Sequence, residues 1–210
     1  MDWEHADATD DRIETDDPHT RRGAFTRWLR PIGASGVLVG ASATVAFARG
    51  SSALTHRDRE VLRFLAGLER LESAFYAAAL RSGKLTGETR QFAEVVGREE
   101  RDHLHDLTDL LGGHAPPAAR YRFEHALRSD RAFVTAAADL EDTVVAAYNG
   151  QAQNVTRHTL GRIARIMSVE SRHAAWARGL SGKLPAPVAA DAATGADAAM
   201  KALRPFLASA

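Results

Sequence analysis

One pattern in this chain occurs twice, and it constrains the fold more than anything else in the sequence. Glu69 is followed seven residues later by Tyr76, and then by Glu100-Arg101-Asp102-His103. Glu141 is followed seven residues later by Tyr148, and then by Glu170-Ser171-Arg172-His173. The Glu-to-Glu separations agree closely, 31 residues in the first copy and 29 in the second. Residues three apart on an α-helix are neighbours on one face with a rise of about 4.5 Å, so each Glu-x-x-His can turn a carboxylate and an imidazole onto one ion. Two such pairs, faced by the carboxylates of two further helices, make a di-metal ligand set of Glu69, Glu100, His103, Glu141, Glu170 and His173 inside a helical bundle.

The surrounding periodicity is helical throughout. Leu62, Leu65, Leu68, Glu69, Glu72, Tyr76 and Leu80 recur at steps of three and four, which predicts one face of a helix over 56–81. A second helix is expected from about 88 to 111, with Phe92, Val96, Glu100, His103, Leu107 and Leu110 on one stripe, stopped by Gly112-Gly113 and Pro116-Pro117. A third begins near Ser129 or Asp130, either a good N-cap, and carries Val134, Ala137, Glu141, Val144 and Tyr148 inward to about Gly150. The fourth, from Asn154 or Thr156 to Leu180, aligns Ile163, Ile166, Glu170, His173 and Ala177. A shorter amphipathic helix is expected around 192–207, beyond the Pro185-Ala186-Pro187 break.

The links set the packing. Short connections make helices one and two, and three and four, antiparallel hairpins. Between the hairpins the link can reach about 60 Å when extended, against about 36 Å for a helix of this length, so it can cross the whole bundle. The fold class is therefore all-α, a four-helix bundle over 56–180 with one long crossover and a short C-terminal fifth helix within 188–210. A short helix over 118–128 is expected inside the crossover.

Energetics agree with a metal reading. The six ligand candidates sit on stripes that otherwise hold Leu, Ile, Val and Phe, where an isolated carboxylate would cost several kcal/mol. Two divalent ions would balance the four carboxylates and leave two neutral imidazoles. Cysteine is absent, so thiolate sites and disulfides are excluded and any metal must be held by oxygen and nitrogen. Formal net charge is zero, which offers no basic face for nucleic acid. Tyr76 and Tyr148 fit core positions beside the ligands. His105 lies about 200° round the helix from His103 and points away. His56, His114, His125 and His158 fall near helix ends or in links and read as surface residues, and Trp176 as packing.

Residues 1–48 have a different character. Eight acids and one Arg fall within residues 1–20, the composition of a disordered extension. Arg21-Arg22, Arg27 and Arg30 then precede a mildly apolar run closing on Ala46-Phe47-Ala48. This order predicts a secretory signal of the twin-arginine type, cleaved after Ala48, with an uncleaved membrane anchor as the alternative. Phe25 falls one place later than the twin-arginine motif has it.

LERLESAFYAAAL at 68–80, the Glu100 to His103 pair, LEDTVVAAY at 140–148 and VESRHAAW at 169–176 together resemble the exported ferritin-like domain family. That family is related to bacterioferritins and rubrerythrins and includes desiccation-associated proteins. The resemblance covers about 56–180 and implies a ferritin-like bundle with two iron or manganese ions, reacting with dioxygen or peroxide as an oxidase or peroxidase. Two other functions stay open: iron storage in a homo-oligomeric cage, and a metal-free, stress-protective bundle. Glu69 and Glu72 are three apart on the same stripe, and the internal repeat chooses Glu69 as the ligand, because Glu72 falls on Val144 in the second copy. A helix-one Glu seven residues before a Tyr is also similar to bacterioferritin-like chains. Glu72 is then an acceptor near the ions, an alternative ligand, or an exposed residue.

Overall fold

The computed structural model of the protein describes residues 53–114 and 116–208. The extension and signal expected over 1–48 lie outside these residues. Four long helices follow one another: α1 (His56–Arg81), α2 (Gly87–Leu110), α3 (Asp130–Ala152) and α4 (Arg157–Leu180). Among the described residues no helix is long and apolar enough to cross a membrane. α1 packs chiefly against α2, and α3 against α4.

Side-chain caps fix the starts of α1, α3 and α4, and aspartates in the first turns of α1 and α3 orient the bundle. Thr55 accepts from the Asp58 N–H, and the Asp58 carboxylate accepts in return from the Thr55 N–H at 3.1 Å, closing a capping box. Asp58 also accepts from the N–H of Thr156, the N-cap of α4, at 2.8 Å. The starts of α1 and α4 therefore share one end. At the other end Asp130, the first residue of α3, accepts from the Thr86 N–H at 3.3 Å and the Thr89 hydroxyl at 3.1 Å, beside the start of α2. The link between α2 and α3 consequently runs the length of the bundle, as its reach allows.

Two expectations are corrected here. The stretch expected as a helix over 118–128 is instead extended around Tyr121, which pairs antiparallel with Leu207. Arg122 donates to the Phe206 carbonyl and Ala208 to the Arg120 carbonyl, both at 2.9 Å, so the tail supplies the backbone partners a helix would have supplied. Only a single turn follows, closed by the Leu127 N–H on the Phe123 carbonyl. The fifth helix is also shorter than expected: α5 spans Ala196–Ala202, followed by a 3-10 turn over Arg204–Phe206. Thr194 donates to the Ala146 carbonyl at 2.8 Å and Asn149 to the Ala192 carbonyl at 3.0 Å, which holds 192–194 against α3 in place of a helical turn. Pro205 has no N–H to extend α5.

The core follows the predicted stripes. Leu62, Leu65, Phe92, Val96, Leu107, Ala137, Val144 and Ile163 are buried, each large side chain contributing about 1.5–3 kcal/mol. Leu80, Leu110 and Leu180 are only partly covered, because they sit in the last turns. Phe75 stacks on Phe133 at 5.3 Å and meets Tyr76, Phe123 and Phe206 edge-on, so α1, α3, the crossover and the tail share one aromatic cluster. Tyr76 links that cluster to the polar centre described next.

Candidate metal centre

Each long helix brings one carboxylate to the middle of the bundle, and α2 and α4 each add an imidazole one turn later. Glu69, Glu100, Glu141 and Glu170 are fully buried, with His103 at 8% and His173 at 3% exposure. The structure brings all six predicted ligands together in two overlapping groups, Glu69–Glu100–His103–Glu170 and Glu100–Glu141–Glu170–His173. Within each group one donor atom per residue lies within 4.8 Å of the others.

Glu100 and Glu170 belong to both groups, and their oxygens are divided between them. His103 Nδ1 lies 3.2 Å from Glu100 Oε2 and 2.7 Å from Glu170 Oε1. His173 Nδ1 lies 2.8 Å from Glu100 Oε1 and 3.6 Å from Glu170 Oε2. Each shared carboxylate thus turns one oxygen to each imidazole, with the two rings 5.9 Å apart. Glu69 completes the His103 side at 3.4 Å and Glu141 the His173 side at 3.9 Å.

The tyrosines join the halves crosswise. Tyr76 of α1 donates its hydroxyl to Glu141 of α3, and Tyr148 of α3 donates to Glu69 of α1. Burial, reinforced by the charge of the glutamate each one meets, pushes both phenols well above their ordinary range, so they stay protonated as donors. One oxygen of each terminal carboxylate is fixed in this way. The other, Glu69 Oε2 or Glu141 Oε2, faces the centre and, like Glu100 Oε1 and both oxygens of Glu170, has no hydrogen-bond partner beyond the imidazole nitrogens.

Such crowding needs cations. Burial, and then the charge of Glu170, raises the carboxyls of Glu69 and Glu100. Glu141 is raised by burial to about 8, against the pull of the His173 charge. Glu170 alone is held below the usual range, because hydrogen bonds from both imidazoles outweigh its burial. Burial works to lower His173, yet hydrogen bonds to Glu100 and Glu170 carry it to about 12, and His103 rises for the same reason. Protons therefore occupy the place of positive charge in this cluster, and a metal ion would have to displace them. An all-oxygen-and-nitrogen donor set with unpartnered buried oxygens fits hard or borderline divalent ions.

Glu72 lies outside both groups, as the repeat requires, but it is not at an opening of the bundle. It is fully buried, neither oxygen has a partner, and burial together with the charges of Glu100 and Glu141 pushes it well up. The exposed alternative for Glu72 is thereby removed. Glu99 was missed by the sequence reading. Its carboxylate lies 2.6 Å from His173 Nε2, the ring nitrogen turned away from the centre. A carboxylate one residue before a ligand Glu was the available signal. His56, His105, His114, His125 and His158 are at the surface, His105 beside Asp109 at 3.6 Å, while Trp176 packs edge-on against Phe92 at 5.2 Å.

A long-crossover four-helix bundle with two paired Glu-x-x-His helices and an inward carboxylate on each of the other two defines the carboxylate-bundle class. The family model of the ferritin-like domain matches residues 57–183, and the chain belongs to that family. No curated protein matches the chain significantly. The fold and the buried carboxylate and histidine cluster together suggest metal binding.

Proposed function

We propose that the protein is an exported two-metal carboxylate protein that holds iron or manganese and reacts with dioxygen or peroxide. The observation that supports this reading is the sharing of Glu100 and Glu170 between two complete four-residue groups. Glu69 and His103 would hold one ion, Glu141 and His173 the other, and Glu100 and Glu170 would serve both. Two such ions, when bound, supply redox chemistry toward oxygen species. The chain contributes the rest. Four carboxylates offset the ionic charge, two tyrosine hydroxyls orient Glu69 and Glu141, and the apolar layers above and below keep bulk water out.

Metal analysis of the full chain purified from its native compartment should find about two iron or manganese ions per chain. Adding Fe2+ or Mn2+ to the metal-free protein should raise its melting temperature, because an ion that binds only the folded state stabilises it. Sub-stoichiometric metal with no thermal shift would sink the proposal. Its export component rests on Arg21-Arg22 and the apolar run to Ala48. Replacing both arginines with Lys should retain the protein in the cytoplasm, and unaltered export would exclude the twin-arginine route.

A further inference from the structure

The two ion positions are built from matching residues, but their imidazoles are not supported in the same way. His173 presents Nδ1 to Glu100, Glu141 and Glu170, and its Nε2 lies 2.6 Å from Glu99. A carboxylate has no proton to give, so Nε2 keeps its hydrogen, and an ion that displaces the Nδ1 proton meets the lone pair there, facing the centre. Glu99 thus fixes both the tautomer and the ring orientation that an ion requires. On His103, Nδ1 also faces the centre, but among the described residues no carboxylate meets Nε2. The repeat explains the difference. Setting Glu100 on Glu170 places Glu99 on Val169, which has no acceptor to offer. Solvent access differs in the same direction, the His103 side chain being 10% exposed and that of His173 4%.

We propose that the two positions are inequivalent, and that Glu99, as a positioning residue for His173, makes the Glu100–Glu141–Glu170–His173 position the tighter and first filled. This inference rests on the two-ion reading given above. The Glu69–Glu100–His103–Glu170 position, whose imidazole has no carboxylate behind it and lies closer to solvent, is then filled second and emptied first.

Co2+ is a suitable probe, because each bound ion changes the visible absorbance and the ring N–H signals of its histidine ligand. Titrating the metal-free full chain should show two separable steps. Glu99→Ala should weaken the tighter step about 10–100-fold and leave the other unchanged. Glu99→Gln keeps an oxygen acceptor and should restore most of the loss, which a merely structural role would not predict. A slowly exchanging, Co2+-shifted ring N–H should be present in the wild type and lost in Glu99→Ala. Two ions bound with one affinity, or a Glu99→Ala variant that weakens both steps alike or neither, would overturn the inequivalence and leave the metal centre standing. No Co2+ binding by the wild type would overturn the centre itself.

Discussion

The α1–α2 and α3–α4 hairpins are two versions of one design, and they agree over more than the ligands. With α1 set on α3, Glu69 meets Glu141, Tyr76 meets Tyr148 and Asp58 meets Asp130. With α2 set on α4, Glu100 and His103 meet Glu170 and His173, and Thr86 meets Thr156. The aspartate near the start of each odd helix accepts from the threonine that begins the even helix of the other hairpin. The matching therefore extends from the centre to both ends of the bundle. It fails at Glu72 against Val144, at Glu99 against Val169 and at Gly150 against Ala78. Symmetry is kept at the shared carboxylate and imidazole cluster and at the capped ends, and broken where one half carries an additional carboxylate or a docked tail.

The symmetric part should fail all at once. Glu100 and Glu170 each face both imidazoles, so Glu100→Ala with Glu170→Ala should remove most bound metal from both positions. Equilibrium dialysis against Mn2+ measures this, and a double variant that still bound two ions would break the whole comparison. The next effect separates matched from unmatched carboxylates. Glu69→Ala removes a cluster carboxylate with a counterpart in Glu141 and should cost metal affinity heavily. Glu72→Ala removes a residue with no counterpart and should cost about 10–100-fold at most. If Glu72→Ala emptied the site while Glu69→Ala left it filled, the alignment of the halves would be wrong in register.

The six residues of the buried cluster were legible because helical spacing and an internal repeat both act over short sequence distances. A Glu-x-x-His shares a face whatever the rest of the chain does. The choice of Glu69 over Glu72 was legible only through the repeat, and Glu72 proved to be buried as well, because one helix stripe carries both. Glu99 was legible only as a carboxylate next to Glu100. It lies one position round α2 from Glu100, and whether it reaches His173 depends on how α2 turns toward α4, which no local pattern encodes. The crossover and tail were misread for a related reason. Their backbone groups pair with each other and with α3 across long separations, and those pairs override local helix propensity.

The tail gives the next test of the comparison. An ideal Cβ on Gly150 would lie 1.8 Å from the Thr194 carbonyl oxygen, whereas its counterpart Ala78 already carries a methyl group. Backbone, not a movable side chain, occupies that space. Arg178 holds the residues leading into this segment, donating to the Pro185 carbonyl at 2.9 Å and pairing with Asp191 at 3.4 Å. Gly150→Ala should therefore displace residues 192–195 and destabilise the fold by about 2–3 kcal/mol. Thermal melts measure the loss, and faster proteolysis of the tail should accompany it. A neutral Gly150→Ala would mean the tail is not packed on α3.

The smallest effect lies at the bundle ends, where the matched aspartates differ in degree. Asp58 is 1% exposed and accepts from the N–H and hydroxyl of both Thr55 and Thr156, while Asp130 is half-buried and accepts from Thr86 and Thr89. Burial acts to raise the Asp58 carboxyl, but hydrogen bonds from Thr156 and Thr55 outweigh it and hold it at about 2, below its ordinary 3.8. A carboxyl lowered on folding stabilises the native state above its unfolded value, and the contribution is lost as pH falls through the folded one. At neutral pH Asp58→Ala should cost about 1–2 kcal/mol through the lost caps, and Asp130→Ala less. Comparing wild type with Asp58→Asn isolates the charge, since other acid-sensitive groups are common to both proteins. Their stability difference in urea should be constant from pH 7 to about 4 and shrink between about 4 and about 2. A difference that did not change over that window would mean that Asp58 bridges the two hairpins by shape alone, without using its charge.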